Sequence, residues 1–374
     1  MRKRIGGNAH CPCNSGLKFK NCCGKTPPPK FPIGAGANDP RVAQLTSAVG
    51  RAGQQHGQLV PSIMHQGYRI RAVGSGIYAR PPTETFHEFL INIVKWTVGE
   101  TWFKAQMAMP EAEQHQIIRW IVSAGERARM VVGDDRFKDG DAYSAPPTGD
   151  ALSLVALGYD LLHLQHRGEL PAALIERLKN RAEFQGALVE IAVAATFVRA
   201  GFTIKFIEDK TKKHPEFIAG DPGSGVEIAV EVKSRRRAGV LHERGEIDEA
   251  KALRGDVESL VSKALGQAPG DRAFMVFIDI NVPPVPGIPF HERAWFHDVW
   301  DSVRALGEST PEKPDEFNAL FLMTFPFRWE GKKPATMAEQ VSMLPIHPRH
   351  PLPQDVIARI VSAVQSYGVI PHEV

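Results

Sequence analysis

Cysteine is absent after Cys23, and none of the 374 residues belongs to an apolar run approaching the roughly 20 residues of a membrane span. The first absence argues against a disulfide framework, and the second argues against a membrane-spanning helix. The basic start, Met1-Arg2-Lys3-Arg4-Ile5, is not followed by the apolar segment of a secretory signal. We therefore expect a cytoplasmic protein that has no membrane partner.

Several common catalytic motifs are also missing. The sequence has no nucleotide-binding glycine loop, no His-Glu helical metal pair and no nucleophile elbow, which argues against the enzyme classes that use them. With a net charge of +3, the whole chain has only a weak general attraction to polyanions. Basic residues are instead concentrated in residues 1–30, which contain no acid, and at Arg235-Arg236-Arg237.

All four cysteines lie within a thirteen-residue stretch, as Cys11, Cys13, Cys22 and Cys23. Two close pairs separated by a short loop can place four thiolates around one tetrahedral Zn²⁺. A segment this short cannot build a hydrophobic core, so the metal would supply its folding free energy, about 10–16 kcal/mol in zinc-finger peptides. The sequence therefore predicts a structural zinc knuckle in residues 1–25. Two alternatives remain for these cysteines. One is a closed zinc site that only stabilises its own segment and binds no partner, and the other is a redox site.

The segment from Cys11 to Gly24 resembles the SEC-C motif. That motif is best known from the C-terminal tail of the preprotein-translocation ATPase SecA, and it recurs in many bacterial proteins. The resemblance implies bound zinc and a docking surface for a protein or ribosomal partner. It does not imply a catalytic activity.

Composition divides the rest of the chain into three segments. Residues 26–60 form a Pro- and Gly-rich linker, which begins with a polyproline run. Residues 61–180 are predicted to be mainly helical, because apolar residues recur at helical spacing between Glu84 and Leu178. Residues 181–374 are predicted to form an α/β domain with a mixed sheet and helices on both faces.

Within the last segment, apolar periodicity and turn residues define the individual elements. The predicted helices cover residues 184–198, 246–265 and 354–366. The predicted strands cover residues 202–207, 215–219, 226–233, 273–280 and 317–325. The first six of these elements have the order helix, strand, strand, strand, helix, strand, which predicts that the second and third strands are joined as a hairpin.

Three carboxylates and a lysine in this segment are candidates for chemistry. Glu190 interrupts an otherwise apolar helix, so it needs a metal ion or a cationic side chain as partner. Glu231 and Lys233 project from the same face of one strand, and Glu216 lies across the predicted hairpin. Carboxylates at this spacing can hold Mg²⁺, and a lysine beside them can orient an attacking water.

The same residues resemble the motif of the PD-(D/E)xK nuclease superfamily: Glu190, Pro215-Glu216 and Glu231-Val232-Lys233. The resemblance covers roughly residues 181–285 and implies a restriction-endonuclease-like core. It implies that Glu216 and Glu231, with the Val232 carbonyl, bind Mg²⁺ or Mn²⁺. It also implies that Glu190 supports this metal and that Lys233 acts on the attacking water. The family usually has aspartate where this chain has Glu216.

Two hypotheses on function follow. The first is a metal-dependent phosphodiesterase that cleaves nucleic acid, with DNA placed ahead of RNA, in which Arg235, Arg236 and Arg237 contact flanking phosphates. The second is a nuclease-like protein without catalysis, an adaptor for nucleic acid or the ribosome that is recruited through the SEC-C motif. Completeness of the motif favours the enzyme, whereas Glu216 in the aspartate position favours the adaptor. The alternative for the three arginines is that they lie on an exposed, solvated loop and contact no nucleic acid.

Overall fold

A computed structural model describes residues 59–372, except 141, 208–213 and 308, together with the isolated residues Asn8 and Lys18. Contacts between residues divide the chain into two units, 1–49 and 50–374. All helices and strands of the described residues belong to the second unit. Apart from Asn8 and Lys18, the predicted zinc knuckle of residues 1–25 lies outside the described residues, as does nearly all of the predicted linker.

The second unit alternates helical and extended segments. Its α-helices are α1 (Phe86–Val98), α2 (Glu100–Met107), α3 (Gln116–Val131), α4 (Gly149–Arg167), α5 (Ala172–Lys179), α6 (Phe184–Arg199), α7 (Glu249–Ala252), α8 (Glu258–Leu265), α9 (Ala294–Arg304), α10 (Phe327–Glu330) and α11 (Gln354–Gln365). Its strands are β1 (Ile63–His65), β2 (Tyr68–Val73), β3 (Gly76–Arg80), β4 (Lys138–Asp139), β5 (Ala142–Tyr143), β6 (Thr203–Phe206), β7 (Phe217–Gly220), β8 (Glu227–Ser234), β9 (Ala273–Asp279), β10 (Ala319–Thr324) and β11 (Glu339–Met343).

Strands β6 to β11 form one mixed sheet of six strands, in the order β11-β10-β9-β8-β7-β6. The three central strands, β8, β9 and β10, are parallel, and the remaining neighbours are antiparallel. A tight turn joins the antiparallel strands β7 and β8, and Asp221 closes it by accepting a hydrogen bond from Ser224 Oγ over 2.6 Å. The parallel pair β8 and β9 needs a longer crossover, which contains α8. The sheet is thus the mixed sheet that the sequence predicts.

Helices cover both faces of this sheet. On one face, α6 and α11 pack against alternate residues of the strands, such as Val230 and Phe277. On the other face, α8 and α9 pack against the intervening residues, such as Ala229 and Val276. Because both faces are covered, β9 and β10 are buried along their whole length, and β8 is buried from Ile228 to Val232.

The central helix α6 is apolar on all sides, and 14 of its 16 residues are buried. Such a helix must lie between two layers, and α6 lies between the sheet and α4. Helix α4 in turn packs closely against α1, because a Cβ atom at Gly158 would lie only 2.5 Å from the Leu90 carbonyl oxygen. One hydrophobic core therefore includes α1, α4, α6 and the sheet, and the boundary expected near residue 180 falls inside this packed unit.

The structure differs from the sequence prediction in several places. Residues 63–80, in the segment predicted to be mainly helical, form the three-stranded antiparallel sheet β1-β2-β3. The single helix expected over 246–265 is divided into α7 and α8. Gly255, between them, packs against Trp295, whose carbonyl oxygen would lie 2.3 Å from an added Cβ. Helix α9 and strand β11 were not predicted. None of the helices in the described part of the chain has both the length and the apolar character to cross a membrane.

Candidate functional site

Strand β8 carries two of the predicted site residues. Glu231 is fully buried, whereas 23% of the Lys233 side chain is exposed. Because side chains alternate along a strand, the two project from the same face, and the Lys233 ammonium forms an ion pair with Glu231 Oε1. The neighbouring residues Val230 and Val232 point into the core beneath α6. Alternation along one strand therefore both buries the apolar residues and creates the charged pair.

Glu216 lies immediately before β7, opposite β8. Its N–H donates to the Val230 carbonyl over 2.9 Å, and its carbonyl accepts from the Ile207 N–H over 3.1 Å. These backbone hydrogen bonds extend the pairing of the strands by one residue. They fix Glu216 beside Glu231 and Lys233 on β8. Its Oε1 atom lies 4.0 Å from Lys233 Nζ. Lys233 is therefore shared between the two carboxylates that the sequence predicts as metal ligands.

Glu190, on α6, is buried and has a cationic partner that the sequence did not identify. Arg177, on α5, donates from its two terminal nitrogens to the two Glu190 oxygens, each over 2.6 Å. A paired, doubly hydrogen-bonded carboxylate avoids the cost of an isolated buried charge. The sequence left two kinds of partner open, a metal ion or a cationic side chain. The structure provides the cationic side chain, Arg177.

Burial and the neighbouring charges raise the pKa values of Glu216 and Glu231. Burial raises the pKa of Glu216 to about 7, and the negative charge of Glu190 adds to this rise. Burial likewise raises the pKa of Glu231 to about 7, against the lowering effect of Lys233. The carboxylates raise the pKa of Arg177, chiefly through its hydrogen bonds with Glu190. These three carboxylates, Arg177 and Lys233 form one cluster of charged groups. When all five are ionised, three negative charges and two positive charges leave the cluster with one excess negative charge.

This excess charge and one orphaned oxygen suit a divalent cation. Glu231 Oε2 is buried and accepts no hydrogen bond from the described residues. Mg²⁺ is commonly held by one or two carboxylates and several waters, a ligand set that Glu216 and Glu231 can supply. Among residues 59–372, where described, no three His, Cys, Asp or Glu side chains are grouped so as to hold a metal together.

The three consecutive arginines have different surroundings. Arg235 bonds to both the carbonyl and the carboxylate of Asp256. Arg236 has a 55% exposed side chain, 3.8 Å from Glu243. Arg237 is buried and donates to four backbone carbonyls, including that of Lys251 over 2.7 Å. This placement gives Arg237 a structural role in the loop after β8, and it leaves Arg236 as the most accessible of the three for a phosphate contact.

A buried polar network next to Lys233 was missed at the sequence level. Gln185 on α6 donates to Ser234 Oγ, which in turn donates to Asp279 Oδ2 over 3.1 Å. Asn281 donates through its N–H to Asp279 Oδ1 over 2.9 Å and through its amide to the Arg235 carbonyl over 3.0 Å. The available signal was the same as for Glu190: Gln185 and Asp279 are polar residues within apolar runs.

Comparison with known proteins identifies only the short N-terminal motif. A family model described as SEC-C motif matches residues 8–25, and the chain therefore contains this motif. The match includes Cys11, Cys13, Cys22 and Cys23, all of which lie outside the described residues. No curated protein and no solved structure matches the chain significantly.

Proposed function

We propose that the protein is a metal-dependent nuclease that hydrolyses phosphodiester bonds in nucleic acid, with DNA placed ahead of RNA as substrate. The observation that supports this function most directly is the position of Lys233, which contacts buried Glu231 and lies 4.0 Å from Glu216. The order α6, β6, β7, β8, α8, β9 also agrees with the restriction-endonuclease-like core that the motif implies. Glu190, on the helix packed across β8, provides the remaining member of that motif.

Each residue has a distinct part in this proposal. Glu216 and Glu231 would hold Mg²⁺ or Mn²⁺, which supplies charge neutralisation at the phosphate and acidifies a bound water. The Lys233 ammonium, held in place by the Glu231 carboxylate, can donate a hydrogen bond to the attacking water or to the phosphate oxygen that gains charge. Arg236 is exposed and can contact a flanking phosphate, which positions the strand without reading its sequence.

The SEC-C motif has a separate role in the proposal. Cys11, Cys13, Cys22 and Cys23 bind one structural Zn²⁺ as thiolates, so that the short segment can fold. The folded knuckle then docks onto a protein or ribosomal partner, while the second unit carries the hydrolytic site. Zinc and the hydrolytic metal therefore occupy different ligand sets: sulfur ligands for Zn²⁺, and oxygen ligands for Mg²⁺ or Mn²⁺.

The adaptor without catalysis is the second candidate, and two observations favour it. Glu216 stands where the superfamily usually has aspartate, and Arg177 occupies both oxygens of Glu190. An adaptor needs affinity for nucleic acid or the ribosome but not a complete metal site. Its recruitment through the SEC-C motif would be the same as for the enzyme.

A cleavage assay separates the two candidates. Full-length protein is incubated with supercoiled DNA, linear DNA, single-stranded DNA and RNA, in Mg²⁺, Mn²⁺ or EDTA. Lys233→Ala is compared with the unmodified protein and with Lys263→Ala, which removes an exposed lysine from α8. We expect metal-dependent cleavage that is lost in Lys233→Ala and retained in Lys263→Ala.

Absence of cleavage would support the adaptor. If no substrate is cleaved, or if Lys233→Ala cleaves as well as the unmodified protein, the proposed site is wrong. Binding of fluorescent DNA and RNA then shows what remains. An adaptor should retain its nucleic-acid affinity in Lys233→Ala, measured by fluorescence anisotropy in the same buffers.

A further inference from the structure

The pairing of Arg177 with Glu190 bears on how many metal ions the candidate site can hold. The two oxygens of Glu190 accept the two terminal nitrogens of Arg177, and the carboxylate is otherwise buried in α6. The guanidinium is fixed further by Glu183, whose Oε1 lies 3.7 Å from Arg177 Nε. A carboxylate oriented by a bidentate arginine is engaged in a rigid, directional contact, which a metal ligand would have to break.

Arg177 also contributes a charge to the site. Its side chain is 36% exposed, so the guanidinium lies at the edge of the acidic cluster rather than deep in the core. Its positive charge is felt at Glu216, where it opposes the rise in pKa that burial causes. A fixed cation beside three carboxylates neutralises negative charge that a second divalent ion would otherwise neutralise.

We infer that Arg177 withholds Glu190 from the metal, so that the site binds a single divalent cation through Glu216 and Glu231. The inference rests on the proposed metal site, but it departs from the motif-based expectation that Glu190 supports the metal. Arg177 is a positioning residue in this arrangement, because it acts on the metal site through Glu190.

The test counts bound metal and does not depend on cleavage. Full-length protein is titrated with Mn²⁺, and free Mn²⁺ is measured by electron paramagnetic resonance. Glu231→Gln is titrated in the same way, and the Mn²⁺ sites that this variant lacks are counted as sites of the cluster. The sites that it retains lie elsewhere on the chain. We expect one such site per chain in the unmodified protein and one in Glu190→Gln.

Arg177→Ala should change the result in a defined way. With the guanidinium gone, Glu190 becomes free to bind metal, so we expect a second Mn²⁺ that is absent from Arg177→Ala/Glu190→Gln. The first Mn²⁺ should bind about tenfold more tightly, because one nearby positive charge has been removed. Arg272→Ala is the matched control. It removes an arginine of similar exposure, paired with Glu227 over 2.8 Å at the start of β8, and it should leave the count unchanged.

Two results would overturn the inference and leave the nuclease proposal intact. One is a pair of Glu231-dependent Mn²⁺ ions in the unmodified protein, with one of them lost in Glu190→Gln. The other is an Arg177→Ala variant whose Mn²⁺ count and affinity equal those of the unmodified protein. If Arg177→Ala does not fold, the comparison of the unmodified protein with Glu190→Gln decides alone. Absence of any Glu231-dependent Mn²⁺ would instead contradict the proposed metal site itself.

Discussion

The side-chain amide of Gln185 donates to the Ser234 hydroxyl over 2.6 Å, and to the Arg235 carbonyl over 2.7 Å. Gln185 lies on α6, five residues before Glu190, and Ser234 directly follows Lys233. One buried amide therefore joins the helix and the strand that carry opposite sides of the candidate site. The position of Lys233 relative to Glu190 depends on this link as well as on the packing of the apolar core.

Replacing Gln185 with leucine should destabilise the protein without changing the size of the side chain much. The Arg235 carbonyl and the Ser234 hydroxyl would each lose a buried partner, which costs about 1–3 kcal/mol in the free energy of unfolding. Urea unfolding followed by circular dichroism measures the loss. Gln365→Leu, at an exposed position of α11, is the control. Equal stability of the two variants would contradict a structural role for the Gln185 amide.

The contribution of Glu231 and Glu216 to the stability of the protein, without added divalent metal, should fall as the pH rises from about 4.5 to about 7. Glu231 keeps its proton in the folded state up to a pKa of about 7, whereas the unfolded chain loses it near 4.5. The folded state therefore binds more protons in this window, so raising the pH favours unfolding. Glu216 contributes in the same direction, because its pKa is also raised to about 7.

Glu231→Gln isolates this effect. The fall in unfolding free energy between pH 5 and pH 8 should be smaller in Glu231→Gln than in the unmodified protein, by on the order of 1–3 kcal/mol. Urea unfolding at the two pH values gives the difference. Glu227→Gln, at an exposed position of the same strand, should behave as the unmodified protein does. The raised pKa of Glu231 would be refuted by an equal fall in all three proteins.

Arg237→Ala should destabilise the fold, because the buried guanidinium donates hydrogen bonds to backbone carbonyls of two segments. One segment is residues 251–254 and the other is residues 280–281, directly after β9. We expect a loss of about 2–4 kcal/mol in unfolding free energy. Arg236→Ala, which removes an exposed neighbour, should cost less than about 0.5 kcal/mol. Thermal or urea unfolding of the pair tests this, and a stable Arg237→Ala variant would show that the carbonyls find other partners.

Arg236→Ala should instead change nucleic-acid binding. If Arg236 contacts one phosphate, its loss reduces the slope of log K against log salt concentration by about one. Fluorescence anisotropy at several salt concentrations measures the slope. Arg304→Ala, at an exposed position at the end of α9, is the control. An unchanged slope in Arg236→Ala would mean that the arginine belongs to a solvated loop.

The purified protein should contain one zinc ion per chain, bound by the only four cysteines. Cys22→Ser should lose this zinc, because three thiolates and a hydroxyl make a much weaker tetrahedral site. Elemental analysis after gel filtration gives the stoichiometry. Ser15→Ala, in the same loop, should retain the metal. Zinc-free protein, purified under reducing conditions with no chelator, would exclude the zinc knuckle.

The sequence predicts the sheet well because its central strands have unambiguous patterns. Strand β9 is a continuous apolar run, and β8 alternates between valine or isoleucine and other residues. Strand β11 has no such pattern, since Glu339 and Gln340 begin an edge strand with only two apolar residues. The interruption of the predicted helix at Gly255 is invisible locally, because its cause is the backbone of Trp295, forty residues further along the chain.

The candidate site shows the same division between local and distant information. Alternation along one strand is enough to bring Glu231 and Lys233 together. The need of Glu190 for a partner is also local, because its helix neighbours are apolar. The identity of that partner is not local, since Arg177 belongs to another helix and the sequence contains many other arginines. The burial of Arg237 depends likewise on carbonyls from two distant segments, residues 251–254 and residues 280–281.

The close contact of α4 with α1 at Gly158, and of α4 with α6, has an evolutionary consequence. A gene fragment encoding only residues 181–374 would carry the motif residues but not the helices that cover the back of α6. Recombination could therefore transfer this six-stranded sheet to a new protein only together with the helices before it. The SEC-C segment belongs to a separate unit of the chain, so it can be gained or lost by a single exchange.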